Sequence, residues 1–152
     1  MTDFFDAHDL HETRLLRATP ERAFAAFSDP AAKRAWFCDV SASPDFEVLS
    51  HSLDFREDGA ETAAFARNAL RIDYAARYML IAPPHHLAYS YAMQADGRVI
   101  SASLVTVTLT AEGAATRLDY RERVVFIEGG DSLETRLPGT VALLDRLARQ
   151  LA

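Results

Sequence analysis

Glu122 carries the most chemical content of any side chain in this sequence. It lies in TRLDYRERVVFI (116–127), where Leu118, Tyr120, Val124 and Phe126 share its face at period two and Arg117, Asp119, Arg121 and Arg123 take the other. A carboxylate among apolar neighbours either finds donors or keeps its proton. A group so placed can serve as a general acid, a general base or a ligand anchor. The other reading is a strand-end bulge that releases Glu122 to solvent beside Arg123. Tyr74 and Tyr78 in one run, and Tyr89 and Tyr91 in the next, stand at even spacings that Met93 continues. If their face meets the core, four phenol hydroxyls need partners there, from a ligand or trapped water, unless the rings simply pair across strands. Ser101 and Ser103 keep phase with Val105, Val107 and Leu109, so both face the core side, and their small size leaves volume that suits a cavity. Neither has a His–Asp pair nearby and no G-x-S-x-G elbow exists, which argues against a serine nucleophile.

The remaining reactive types make no second constellation. Trp36 and Phe37 end a short helix, where the tryptophan is either a ligand platform or a cap on the core. His85 and His86 are adjacent and would point to opposite faces of a strand, while His8 and His11 lie in a polar stretch without a third ligand. His51 shares a face with Leu53 and Phe55 and reads as a satisfied core histidine. Cys38 is the sole cysteine, so an intrachain disulfide is excluded, and nothing near it in sequence would activate its thiol. No phosphate loop or dinucleotide fingerprint is present, and neither a metal nor a cofactor is expected.

A formal charge of −6 argues against a general nucleic-acid binder and against an anionic membrane surface as partner. The first residues, MTDFFDAHDLHETR, have no basic and then apolar pattern of a secretory signal. No apolar run approaches the roughly 18–20 residues that span a bilayer. The expected location is the cytoplasm, and the expected partner is a small apolar molecule. A homodimer is possible, because Leu104 gives the outer face of one strand an apolar residue beside Val105 and Val107.

The elements that must position these residues follow from period and punctuation. Residues 1–9 read as a loosely docked tail and HETRLLRA (11–18) as a first strand. Thr19-Pro20-Glu21 and then Asp29-Pro30 each start a short helix, with a cap residue followed by proline at the first helical position. After Phe37 the period becomes two. DFEVL (45–49), HSLDFRED (51–58), LRIDYAARYMLI (70–81), HLAYSYAMQ (86–94), VISASLVTVTLT (99–110) and residues 116–127 read as strands on short turns, an antiparallel meander. Asp96-Gly97 is the clearest hairpin turn, whereas residues 59–69 read as either a strand edge or a mobile loop. From Asp131 a long helix lines up Leu133, Leu137, Val141, Leu144, Leu147 and Leu151, with Asp145, Arg146 and Arg149 on the far side. Pro138-Gly139 either kinks it or marks its true start.

This order, with ATPERAFAAFSDPAAKRAWF (18–37), LDFREDG (53–59), YAARY (74–78), YSYAMQADGR (89–98) and TRLDYRE (116–122), resembles the START-like (SRPBCC) superfamily. Within it the chain is similar to the branch named for the activator of heat-shock protein 90 ATPase. The resemblance implies an α+β helix-grip fold over a single domain, 1–152. A curved antiparallel sheet of about seven strands wraps the C-terminal helix, with two short helices after the first strand. It implies a cavity between sheet and helix, lined by Trp36, Phe37, Phe55, Tyr74, Tyr78, Tyr89, Tyr91, Ser101, Ser103, Glu122, Phe126, Val141 and Leu144. Members either hold an apolar, lipid-like or aromatic molecule there, or act as cyclase- or hydratase-type enzymes, with Glu122 then the acid–base group, or serve as co-chaperone modules. The leading expectation is non-enzymatic binding. The sequence departs from the family pattern at Ala60-Glu61-Thr62-Ala63, where a Gly-rich glycine–glycine–arginine segment is usual, and at Arg123, where glutamine is usual.

Overall fold

The fold is described from a computed structural model covering residues 3–152. Strand β1 (Phe5–Leu16) is followed by two short helices, α1 (Pro20–Ser28) and α2 (Pro30–Phe37). Both start on the caps read from the sequence: the Thr19 hydroxyl accepts from the Arg22 amide, and the Asp29 carboxylate from that of Ala32. Asp29 also ends α1, its own N–H donating to the Ala25 carbonyl, so one residue turns the chain between them. Six strands follow, β2 (Phe46–Leu53), β3 (Ala60–Arg67), β4 (Leu70–Ala82), β5 (His86–Ala95), β6 (Arg98–Glu112) and β7 (Ala115–Ile127), then the helix α3 (Leu133–Gln150). They form one antiparallel sheet in the order β1-β7-β6-β5-β4-β3-β2. The expected hairpin at Asp96-Gly97 is present, with both residues at positive φ.

Four expectations change. Residues 5–9 are not a loose tail: β1 begins at Phe5, opposite Ile127, and runs the length of β7. The pattern hid this because the inward positions His8, Glu12 and Arg14 on this edge strand are polar. The runs 45–49 and 51–58 merge into one strand, β2, bulged at Leu49 and ending at Leu53, with 54–58 forming the turn to β3. Residues 60–67 are neither edge nor loop but β3, paired on both sides. Helix α3 runs continuously from Leu133, through Pro138. Proline costs the bond to the Glu134 carbonyl, but Glu134, Pro138 and Gly139 are exposed, so water can satisfy that oxygen.

Helix α3 is seated unevenly. Leu144, Leu147 and Leu151 are buried against the sheet with α1 and α2, while Leu133, Leu137 and Val141 are half-buried. The flank read as the far side is engaged: Arg14 donates to Asp145 at 2.8 Å, Arg146 to the Trp36 carbonyl, and Gln150 to the Ala32 carbonyl. These bonds tie the C-terminal half of α3 to β1 and α2. No helix of the described residues is long and apolar enough to cross a membrane. The uneven seating has a measurable consequence. Leu147→Ala, at a site with no exposure, is expected to cost about 2–5 kcal/mol in urea unfolding. Leu137→Ala removes a side chain that already touches water and is expected to cost less than about 2 kcal/mol. Equal losses would show that the N-terminal half is packed as tightly.

Candidate functional site

Three strands and the first turns of α3 converge on Glu122. The register Leu10–Glu122–Val105 sets it in mid-strand, with its side chain fully buried, which rules out the solvent-released bulge. Its Oε1 accepts from the Tyr120 hydroxyl at 2.5 Å, and its Oε2 from Tyr91 at 2.5 Å and Ser103 at 2.6 Å. Arg136 on α3 approaches Oε2 to 3.9 Å and donates to the Tyr91 hydroxyl, the Ser101 hydroxyl and Asp131. Burial, then the charge of Glu122, push the Tyr91 phenol well above its ordinary pKa; burial chiefly does the same for Tyr74, Tyr89 and Tyr120. All four therefore stay protonated and remain donors. The carboxylate found its donors in Tyr91, Ser103 and Tyr120; the sequence singles out the first two as candidate site residues and places Tyr120 only among the neighbours on the shared face.

An aromatic sheet of rings extends from this cluster across β5 and β4. Tyr74 meets Tyr91 at 5.0 Å between centroids and Phe37 at 4.9 Å; Tyr78 meets Tyr89 at 5.5 Å and Phe55 at 4.9 Å. Phe126 is buried beneath the Arg136 guanidinium. Phe37, Phe55, Tyr91 and Met93, with Leu53, Phe65 and Ile81, remain half-buried along one side of the core. Of the expected lining, Val141 is half-buried and Leu144 fully buried under α3. Trp36 stands apart: it is buried against Phe27, and its indole N–H donates to the Ala26 carbonyl, so it caps the core beneath α1. Two depressions of about 450 and 390 Å³ are lined by strand residues alone, the first by Thr62, Asp73, Tyr74 and Ala92 among others, the second by His11, Leu104, Arg121 and Glu122; α3 lines neither.

Sequence reasoning missed a second buried cluster. Lys33 of α2, 1% exposed, donates to Glu61 at 2.7 Å and lies over the rings of Phe37 and Trp36. The other Glu61 oxygen meets the His51 ring at 2.8 Å, and Tyr78 donates to Glu61 as well. The signal was available: Lys33 precedes Trp36 and Phe37 at helical spacing, and Glu61 alternates with Ala63. His51 is a satisfied core histidine, as expected. Burial pushes the Cys38 thiol up to about 11, which keeps it unreactive. Among the described residues no three metal-ligating side chains converge.

Burial alone would raise the Glu61 carboxyl, but the Lys33 ammonium and the bonds from His51, Lys33 and Tyr78 outweigh it and hold its pKa below the ordinary range. The pairing therefore contributes its full stability above the ordinary value of 4.5 and loses it as the pH falls through the lower folded value. Glu61→Gln is expected to cost about 3–5 kcal/mol at pH 7, by stranding the Lys33 charge. It should also flatten the acid limb of stability against pH below the ordinary carboxyl value. Lys33→Met with Glu61→Leu should recover most of the loss; an unchanged acid limb in urea titrations would refute the assignment.

The comparisons agree with this architecture. The family described as activator of Hsp90 ATPase homolog 1-like protein matches residues 17–152. An uncharacterized protein of known structure from Rhizobium leguminosarum is 36% identical, with a TM-score of 0.88 over 97% of this chain and 95% of its own. The protein Mll3558 from Rhizobium loti is 34% identical, with a TM-score of 0.86 over 97% of this chain and 99% of its own. DynU16, a protein of the dynemicin biosynthetic locus, shares the fold at 18% identity and a TM-score of 0.67, over 99% of this chain and 48% of its own. No curated protein matches. With its helix-grip architecture and a match over nearly its whole length, the chain belongs to the activator of Hsp90 ATPase homolog 1-like family of the START-like superfamily.

Proposed function

We propose that this protein binds a small, mostly apolar molecule between the inner face of β4–β5 and the N-terminal half of α3. The carrying observation is the half-buried apolar rim formed by Phe37, Phe55, Tyr91, Met93, Leu137 and Val141. Apolar side chains lining a concave face favour an apolar occupant. At one end stands the Glu122–Tyr91–Arg136 cluster, whose fixed donors and acceptors would orient the ligand's polar end. The remaining lining, Tyr74, Tyr78, Tyr89, Ser101, Ser103, Phe126 and Leu144, would shape the deeper wall. Trp36 would contribute by holding α2 in place, since its own polar atom is already bonded.

The enzymatic reading, with Glu122 as acid–base group, is less well supported. Three hydroxyls already occupy its oxygens, and a saturated carboxylate anchors its neighbours better than it exchanges protons with a substrate. The co-chaperone reading rests on the family's name alone.

Fluorescence titration with N-phenyl-1-naphthylamine tests the binding reading. The protein is expected to take up the probe with enhanced, blue-shifted emission. Val141→Trp, which adds bulk at the rim, should weaken uptake by about tenfold, or roughly 1.4 kcal/mol. No uptake by the native chain, or uptake indifferent to Val141→Trp, would overturn it.

A further inference from the structure

The two halves of α3 are held to the fold by different means. Downstream of Gly139, Leu144, Leu147 and Leu151 are buried, and the side chains of Asp145, Arg146 and Gln150 are bonded to β1 and α2. Upstream, Leu133 and Leu137 are only half-buried. Among the described residues, Arg136 makes every side-chain hydrogen bond that joins residues 131–137 to the sheet. It donates to Tyr91 of β5 at 3.1 Å and to Ser101 of β6 at 2.8 Å. The side-chain bonds of Asp131, Ser132 and Thr135 stay within the segment.

Each end of the segment has a joint. Pro138 removes the helical bond to the Glu134 carbonyl, and Gly139 follows it in open surroundings, where an added Cβ would meet nothing within 4 Å. At the other end Gly129 turns at a φ of 75°, and Gly130 is pressed against Ile100, where an added Cβ would come within 2.8 Å. The chain is thus fixed at Gly130 and again in the C-terminal half of α3, and the turns between depend on one side chain.

Releasing that side chain strands no charge. Arg136 takes its counter-ion with it, because Asp131 lies in the same segment and accepts from Nε at 2.9 Å and from Nη2 at 2.8 Å. Glu122 stays behind with the Tyr120, Tyr91 and Ser103 hydroxyls still donating to its two oxygens, and Arg136 approaches it only to 3.9 Å. The penalty that holds a buried ion pair shut is therefore avoided. Neither surface depression is lined by α3, so neither offers a way beneath it.

We propose that residues 131–137 are a strap over the binding site, that the ligand enters and leaves as the strap lifts, and that Arg136 is its latch. The proposal rests on the binding reading above and adds the route of entry to it. Stopped-flow mixing with N-phenyl-1-naphthylamine, and release of bound probe on dilution, give the two rates that test it. In Arg136→Gln both rates are expected to rise about tenfold; loss of a ligand contact would speed release alone. Pro138→Ala combined with Gly139→Ala restores the missing amide and stiffens the joint. This pair should slow both rates about fivefold while their ratio holds. Hydrogen exchange without any probe reads the strap directly. In Arg136→Gln the amides of Arg136 and Leu137 should exchange about tenfold faster, with those of Leu144 and Leu147 unchanged. Rates unmoved in Arg136→Gln, release speeded alone, or exchange altered equally along α3 overturns the proposal and leaves the binding reading standing. Failure of the probe to bind the native chain overturns both.

Discussion

A seven-stranded sheet is about 30 Å across at the usual strand spacing, whereas a helix with its side chains is about 10 Å wide. One C-terminal helix therefore cannot seal the inner face of this sheet, however strongly it curves. The chain covers the remainder with α1, α2 and aromatic side chains, and most of the structure follows from how that cover is shared out. Leu144, Leu147 and Leu151 close the part nearest α1 and α2. Arg14, Arg146 and Gln150 pin the same half of α3 to β1 and α2. Rings from β4 and β5, with Phe37 and Phe55, fill the side that the helix leaves open.

Incomplete cover explains why polar groups are placed where they are. Glu122 and Glu61 stand on opposite flanks of the ring layer, each on an inner-facing strand position and each supplied with hydrogen bonds to both oxygens. A buried carboxylate is tolerable only when so paired, and a pair of this kind specifies geometry more than it adds net stability. At Glu122 the donors come from β5, β6 and β7, and Arg136 bridges to α3. At Glu61 they come from α2, β2 and β4. Each cluster thus fixes one edge of the cover to the sheet, and the rings between them are held from both sides.

How much of this was legible follows from where the signal is local. The inward face of β7, the tyrosine pairs and the two serines were readable because a strand's period of two assigns faces without knowledge of the partner strand. The starts of α1 and α2 were readable because caps are chemical and local. The start of β1 was misplaced because His8, Glu12 and Arg14 interrupt the apolar phase of its inward face, leaving only Leu10 and Leu16, too far apart to show an alternation. β3 was obscured by small residues, which carry little periodic contrast. The Lys33–Glu61 pair was missed for a different reason. A buried charge on α2 is legible only together with its counter-ion on β3, 28 residues away. For Trp36 the choice between platform and cap turned on a single backbone carbonyl, that of Ala26.

The two departures from the family pattern separate on the same grounds. Arg123 points outward, is well exposed, and pairs with Asp9 on the edge strand, so exchanging it for glutamine would leave the inner face as it is. Glu61 lies inside. A glycine–glycine–arginine segment at 60–63 would supply neither the carboxylate that holds Lys33 nor the acceptor for Tyr78, and Lys33 would have no counter-ion where it is buried beside Phe37 and Trp36. The substitution is therefore not neutral variation on a shared scaffold. It requires a matching lysine on α2 and a matching histidine on β2, and those three residues together set the wall opposite Glu122. Relatives with this fold share the sheet and the grip of its helix. The chemistry of this rim depends on the trio as well as on that grip.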